Sequence, residues 1–319
     1  MLSDLRDYLT DEYLWPLGSP RTRRETEFVC LRDVPDLTPN QFTKWMVKLV
    51  EDERNRIHRK EVQFGTQWPA YWYYQGRLDA GKFNLNYEKW EERIRLLTPY
   101  KLGFTGERYV RALFTRLQKF GRFAADGITK KNKISYESFA KSPGKKDLRF
   151  RFHDRSGEVY PILVEVKNTR EFYYALRGAK HQLFARQIDL GITNGHLPVL
   201  VTSYLSDQAS RLCKNVGIAT YTLGRQILPM DLKENTKSLF PSVWDELFQF
   251  INPDDVFSNY AKYPNSRTDR DLEALSDPSW IEAAHAQWVK MTPWLPRIAD
   301  ALNAGDLDTV DAIIGAHAD

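Results

Sequence analysis

Residues 159–166 read VYPILVEV, a nearly unbroken apolar and β-branched run that predicts a buried strand, although Pro161 removes one ladder donor near its start. Just upstream, residues 148–152 (LRFRF) alternate apolar with basic side chains, and Asp154-Arg155-Ser156-Gly157 supplies turn chemistry. The two runs are therefore expected to form an antiparallel hairpin. Before them, residues 105–120 carry Val110, Leu113, Phe114 and Leu117 at helical spacing, with Glu107 in the first turn of the expected helix. After them the pattern predicts a helix over 179–190, a strand over 198–204, a helix over 207–216 and a strand over 218–223. The flanks read as helical. Candidate helices cover 39–59 and 86–97 on one side and 242–250, 280–290 and 308–316 on the other, with 253–278 loop-rich. The expected organisation is an α/β, mixed-sheet core over 100–229 between a mainly helical region 1–99 and a helical, acidic region 230–319.

Composition narrows the class. A chain of 319 residues can bury a substantial core and hold more than one domain, and its formal net charge of +4 is only mildly basic. No apolar stretch approaches the roughly 20 residues of a membrane-spanning helix, and MLSDLRDYLTDEY is too acidic and too broken for a signal peptide. A cytoplasmic location without membrane partners is the expectation. Cys30 and Cys213 stand far apart, outside any CxxC or Cys/His spacing, so neither a disulfide framework nor a zinc site is indicated. Charge is uneven along the chain. Lys130, Lys131, Lys133, Lys141, Lys145, Lys146, Arg149, Arg151 and Arg155 concentrate between 130 and 155, whereas Asp254, Asp255, Asp269, Asp271, Asp306, Asp308 and Asp311 make the last segment acidic.

The chemistry centres on three residues. A period of two puts Glu165 and Lys167 on one face of the predicted strand, and Asp147 starts its partner strand where Glu165 ends this one. Two carboxylates meeting at a strand edge repel each other unless a cation lies between them, and hard oxygen ligands suit magnesium. Lys167 is then placed to polarise water or to balance charge on a phosphate. The plainer reading makes Lys167 and Glu165 an ordinary strand-end ion pair and Glu107 a carboxylate that stabilises a helix dipole.

This Asp…Glu-x-Lys grouping, with the helix-strand-helix-strand order that follows it, resembles the PD-(D/E)XK nuclease superfamily, the restriction-endonuclease-like fold. The resemblance covers about residues 100–229. It implies Asp147 and Glu165 as metal ligands, Glu107 on the leading helix as a third, Lys167 as the residue that orients the attacking water, and Gln182 on the following helix as a contact to the scissile phosphate. Lys146 stands where the family often has proline, and the long 127–144 stretch leaves Asp126 as an alternative ligand. Asp147 is favoured because a strand pattern follows it at once. The implied activity is magnesium-dependent DNA endonuclease, with manganese as a substitute, in restriction or mobile-element defence. Alternatives are a structure-selective repair or junction nuclease, and a non-cleaving DNA-binding or assembly protein on the same core.

DNA contacts are expected from the basic run, at Lys141, Lys145, Lys146 and Arg149, and from Lys180 and Arg186 around the downstream helix. His181 is a weaker candidate base. Trp72 and Tyr73 belong to WPAYWYY, a cluster between helical stretches that could stack on bases or pack between domains. Duplex DNA is the expected partner, with branched or single-stranded DNA and RNA open, and double-strand cleavage by one site per chain favours a homodimer.

Overall fold

A computed structural model describes residues 2–14, 21–64, 68–75, 99–118, 123–125, 148–154, 158–168, 181–240, 243–252 and 266–318, with 92, 96 and 156 as isolated positions. It is an α/β structure with a mixed sheet. The chain forms two compact units: Met1–Lys101 with Arg170–Phe172 and Leu228–Phe250, and Leu102–Thr169 with Tyr173–Ile227 and Ile251–Asp319. This division differs from three consecutive regions, because the C-terminal helices share a core with the sheet.

In the first unit, α1 (Leu2–Asp7) runs into a π-helical segment, Tyr8–Tyr13. β1 (Arg21–Thr22) leads into α2 (Arg23–Asp33), whose cap Thr22 accepts from the Glu25 N–H at 3.1 Å. α3 (Pro39–Glu51) starts at a capping box: Thr38 and Gln41 satisfy each other's backbone N–H, and Pro39 follows the cap where a missing N–H costs nothing. The expected helix over 39–59 ends here, and after Arg56, at φ 51°, the chain enters β2 (Ile57–Phe64). β2 pairs antiparallel with β3 (Trp68–Gln75), which lies between β2 and β1. WPAYWYY is thus the middle strand of a three-stranded sheet rather than a link between helices. The expected helix over 86–97 lies outside the described residues apart from two positions.

The second unit is built on a five-stranded sheet. α4 (Pro99–Gln118) precedes β4 (Phe123–Ala125), β5 (Leu148–His153) and β6 (Val159–Lys167), which pair antiparallel in sequence order. α5 (His181–Asn194), β7 (Leu197–Thr202), α6 (Asp207–Val216) and β8 (Ala219–Thr222) then add two parallel strands, giving the order β4-β5-β6-β7-β8. Ser206 caps α6, and Gly217 ends it at φ 82°, a left-handed conformation that glycine adopts without penalty. β9 (Gln226–Pro229), α7 (Lys233–Leu239), α8 (Trp244–Leu247) and β10 (Phe248–Ile251) follow, with β9 and β10 paired; from Leu228 to Phe250 this stretch belongs to the first unit. The helix expected over 242–250 is therefore half strand. α9 (Ser266–Ser276), α10 (Ser279–Met291), α11 (Leu295–Ala304) and α12 (Leu307–His317) complete the chain, and α9 falls inside the stretch expected to be loop.

The core of this unit gathers Phe150, Ile162, Val164, Val166, Val199 and Val201 from one face of the sheet. Val110, Leu113, Phe114 and Leu117 of α4 join them, with the Phe114 ring stacked on Phe150 at 4.8 Å. Ile298, Leu302 and Val310 from α11 and α12 belong to the same cluster. Full burial of each large apolar side chain stabilises by about 1.5–3 kcal/mol, so the C-terminal helices are a substantial part of what holds the sheet.

Candidate active site

β6 is the middle strand of the sheet, antiparallel to β5 and parallel to β7. Its alternation separates two kinds of side chain. Ile162, Val164 and Val166 enter the core, while Leu163, Glu165 and Lys167 face the other way. Strand pairing extends that second face: Arg149 opposes Leu163 on β5, and Leu200 and Thr202 stand beside Glu165 and Lys167 on β7. Glu165 and Lys167 form an ion pair through Oε1 and Nζ, with side chains 11% and 19% exposed. That intermediate exposure matters. Both groups are sheltered from bulk water, and both can still be reached.

Directly after Lys167, Asn168 is buried and fully engaged. Its Nδ2 donates to the Leu102 and Ile227 carbonyls at 2.6 Å each, and its Oδ1 accepts from Ser203 Oγ at 2.9 Å and from the Ile227 N–H at 3.0 Å. The end of β6 is thereby tied to α4, to the end of β7 and to the chain entering β9. α4 approaches this point through Gly106, where an added Cβ would stand 2.4 Å from the Asn168 Cβ. Only a residue without a side chain allows so close an approach. Glu107, half-buried, is the next residue on the helix. The sequence placed it in a first turn; α4 starts at Pro99, and Glu107 lies in mid-helix with no acidic residue in the first turn. Its role as a partner of the helix dipole is therefore withdrawn, since that effect fades beyond the first turn.

The β5–β6 pairing runs from His153↔Val159 to Leu148↔Val164. Asp147, Asp126, Lys141, Lys145, Lys146 and Lys180 lie outside the described residues. Of the other expected contacts, Arg149 is half-buried on the Glu165 face, Gln182 is exposed near the start of α5, and Arg186 is half-buried one turn later. His181 lies near the α11–α12 turn, its Nδ1 3.8 Å from where a Cβ on Gly305 would be, and its Nε2 is buried without a hydrogen-bond partner among the described residues. Trp72 and Tyr73 lie on β3 in register with Lys60 and Arg59.

Three groups carry no warning in the sequence. Asn168 is one. Thr202 is another: paired in register with Lys167, it is 1% exposed, and its Oγ1 has no hydrogen-bond partner among the described residues. The third is a buried network in which Arg225 donates to Asp271 at 2.6 Å and to Tyr109 at 3.1 Å, while Tyr109 and Tyr221 donate to Asp271 at 2.7 and 2.8 Å. Burial opposes the Arg225 charge, yet the Asp271 hydrogen bonds raise its pKa above the ordinary value. Asp271 is therefore an internal counter-ion rather than part of an acidic surface.

The carboxylate of Glu165 is a hard oxygen donor of the kind that suits magnesium. Among the described residues no group of three or more His, Cys, Asp and Glu stands together as a metal site. Of the donor set expected from sequence, Glu165 and Glu107 are among the described residues and Asp147 is not. No described helix is long and apolar enough to cross a membrane. Compared with known proteins, the chain matches no family model, no curated protein and no solved structure.

Proposed function

We propose that the chain is a magnesium-dependent DNA endonuclease of the restriction-endonuclease-like kind, working at the end of β6. The observation that carries this reading is the strand register. The last described β5–β6 pair, Leu148↔Val164, adjoins Glu165, and Glu165 and Lys167 share the face of β6 opposite to Ile162, Val164 and Val166. Asp147, the ligand expected from sequence, directly precedes Leu148 in the chain. The order of elements also supports it: a leading helix, three strands in antiparallel succession, a crossover helix and a parallel strand agree with the resemblance in the sequence.

In this reading Glu165 and Asp147 hold magnesium, and Glu107, on the helix that meets Asn168 at Gly106, supports them. Magnesium supplies a water activated toward the phosphodiester and offsets charge on the phosphate. Lys167 exchanges its contact with the Glu165 carboxylate for one with the attacking water or a phosphate oxygen, which needs only a local swing of its long side chain. Gln182 and Arg186 reach the phosphate from α5, and Arg149 with the basic run before it attracts the polyanion. Supercoiled plasmid incubated with the full chain, with and without magnesium, tests the proposal. Nicking or linearisation that needs magnesium and disappears in Asp147→Ala and Glu165→Ala is the expected result, and an inert wild-type protein overturns it.

A further inference from the structure

Resting on the nuclease reading for the cation at Glu165, we propose that Thr202 is a positioning residue for Lys167: its hydroxyl takes up the ammonium once the Glu165 carboxylate is engaged by a divalent cation. Thr202 stands in register with Lys167 on the neighbouring parallel strand, so both side chains leave the same face of the sheet, from strands about 5 Å apart. The backbones of the pair are held from both sides. The Ser203 N–H donates to the Lys167 carbonyl at 3.2 Å, the Leu223 N–H donates to the Thr202 carbonyl at 2.8 Å, and Ser203 Oγ donates to Asn168 at 2.9 Å. Thr202 is β-branched and stiff, whereas Lys167 carries its charge on a long, flexible stem. The movable partner is therefore the lysine.

The hydroxyl itself points to this role. Thr202 is buried, and its Oγ1 has no hydrogen-bond partner among the described residues. Its other neighbours on that face do not supply one: Leu200, two positions earlier, is apolar, and Thr222, in register on β8, is exposed. A buried hydroxyl without a partner costs stability, and a valine would have nearly the same shape without that cost. The hydroxyl thus weakens the arrangement in which Lys167 contacts Glu165. It stabilises the other one. An ammonium displaced from its carboxylate in a sheltered site needs a new acceptor, and Oγ1 stands on the adjacent strand to provide it. The ammonium has several N–H donors, so one can go to Thr202 while another meets the attacking water or a phosphate oxygen. Held in this way, Nζ stays beside the carboxylate instead of swinging into solvent.

Isothermal titration of magnesium chloride into the full chain, beside urea unfolding of the metal-free protein, tests this. Thr202→Val is expected to keep the metal-free urea midpoint at or above that of wild type and to weaken magnesium affinity by about tenfold, the usual worth of a hydrogen bond to a charged group. Thr202→Ser keeps the hydroxyl and should hold magnesium within about two-fold of wild type. In a Lys167→Met background Thr202→Val should change magnesium affinity by less than about two-fold, because the ammonium that the hydroxyl serves is absent. Plasmid nicking is read separately: Thr202→Val should lower kcat and leave the KM for DNA unchanged. Equal magnesium affinity of Thr202→Val and wild type overturns the role of Thr202, as does a lowered metal-free midpoint or the same loss of affinity in the Lys167→Met background. If wild type nicks in those cases, the nuclease reading stands without Thr202. Wild type that binds no magnesium overturns both, whereas a Lys167-dependent loss of affinity without nicking supports Thr202 and removes the nuclease reading.

Discussion

Gly106 lies so close to Asn168 that an added β-carbon would stand 2.4 Å from the Asn168 Cβ. The contact joins the helix that carries Glu107 to the residue that follows Lys167. Gly106→Ala is expected to destabilise the protein by about 1–3 kcal/mol, because neither the helix nor the strand end can retreat without disturbing the core. Helix propensity alone would make the same change stabilising. Urea unfolding decides between the two signs, and a more stable variant would show that the approach relaxes easily.

Asn168 satisfies four hydrogen-bonding groups at once. Asn168→Ala leaves the Ile227 N–H and two carbonyls without these partners, and a loss of about 2–4 kcal/mol is expected. Because the change also frees the end of β6, cleavage should fall more than the loss of folded protein explains. Full specific activity per folded molecule would confine Asn168 to stability.

Within the proposed site the variants should separate by role. Lys167→Ala is expected to lose cleavage while retaining metal affinity, whereas Glu165→Ala loses both; isothermal titration with magnesium beside a nicking assay makes the comparison. Glu107→Ala should give a smaller, metal-dependent loss. Calcium should support DNA binding with little cutting. Equal metal affinity in Glu165→Ala and wild type would remove Glu165 as a ligand.

The basic run makes a prediction in salt. Neutral replacements at Lys141, Lys145, Lys146 and Arg149 should flatten the dependence of DNA affinity on ionic strength, by about 0.9 in log–log slope for each duplex phosphate that is no longer neutralised. Slopes identical to wild type would return these side chains to solvated surface.

Arg225 and Asp271 are 2% and 1% exposed. Arg225→Met or Asp271→Leu alone should destabilise by about 3–5 kcal/mol, since each leaves an uncompensated buried charge, and the double variant should recover much of that loss. A double-mutant cycle from chemical denaturation measures the coupling.

The parts of the fold legible in sequence were those with strong local period. LRFRF and VYPILVEV alternate or run apolar over a strand's length, and they form the β5–β6 hairpin as read. α5, β7, α6 and β8 likewise fall within a few residues of their expected positions. The misses have physical causes. In WPAYWYY aromatics occupy both parities, so no alternation betrays a strand. α9 has only Leu272 and Leu275 with Ala274 as apolar residues, too thin a stripe to stand out from loop. FQFI after Trp244 is short enough to fit either period. Of the candidate site, Glu165 and Lys167 were legible because their strand was, while Asn168 and the Arg225–Asp271 pair depend on neighbours distant in sequence that no local pattern records.

The buried partner of Arg225 lies 46 positions further along the chain, and the helices that finish the same core come later still. During synthesis the strand bearing Glu165 and Lys167 therefore leaves the ribosome well before the carboxylate that neutralises Arg225 and the apolar residues of α10–α12 that share its core. At synthesis rates of about 5–20 residues per second, this leaves an interval of seconds. The nascent core spends it incomplete, with the strand of the proposed site present and its surroundings not yet assembled. For a chain that cuts DNA, as proposed, that order confines activity to finished molecules, and a ribosome stalled after residue 230 should display a segment that neither folds stably nor cuts.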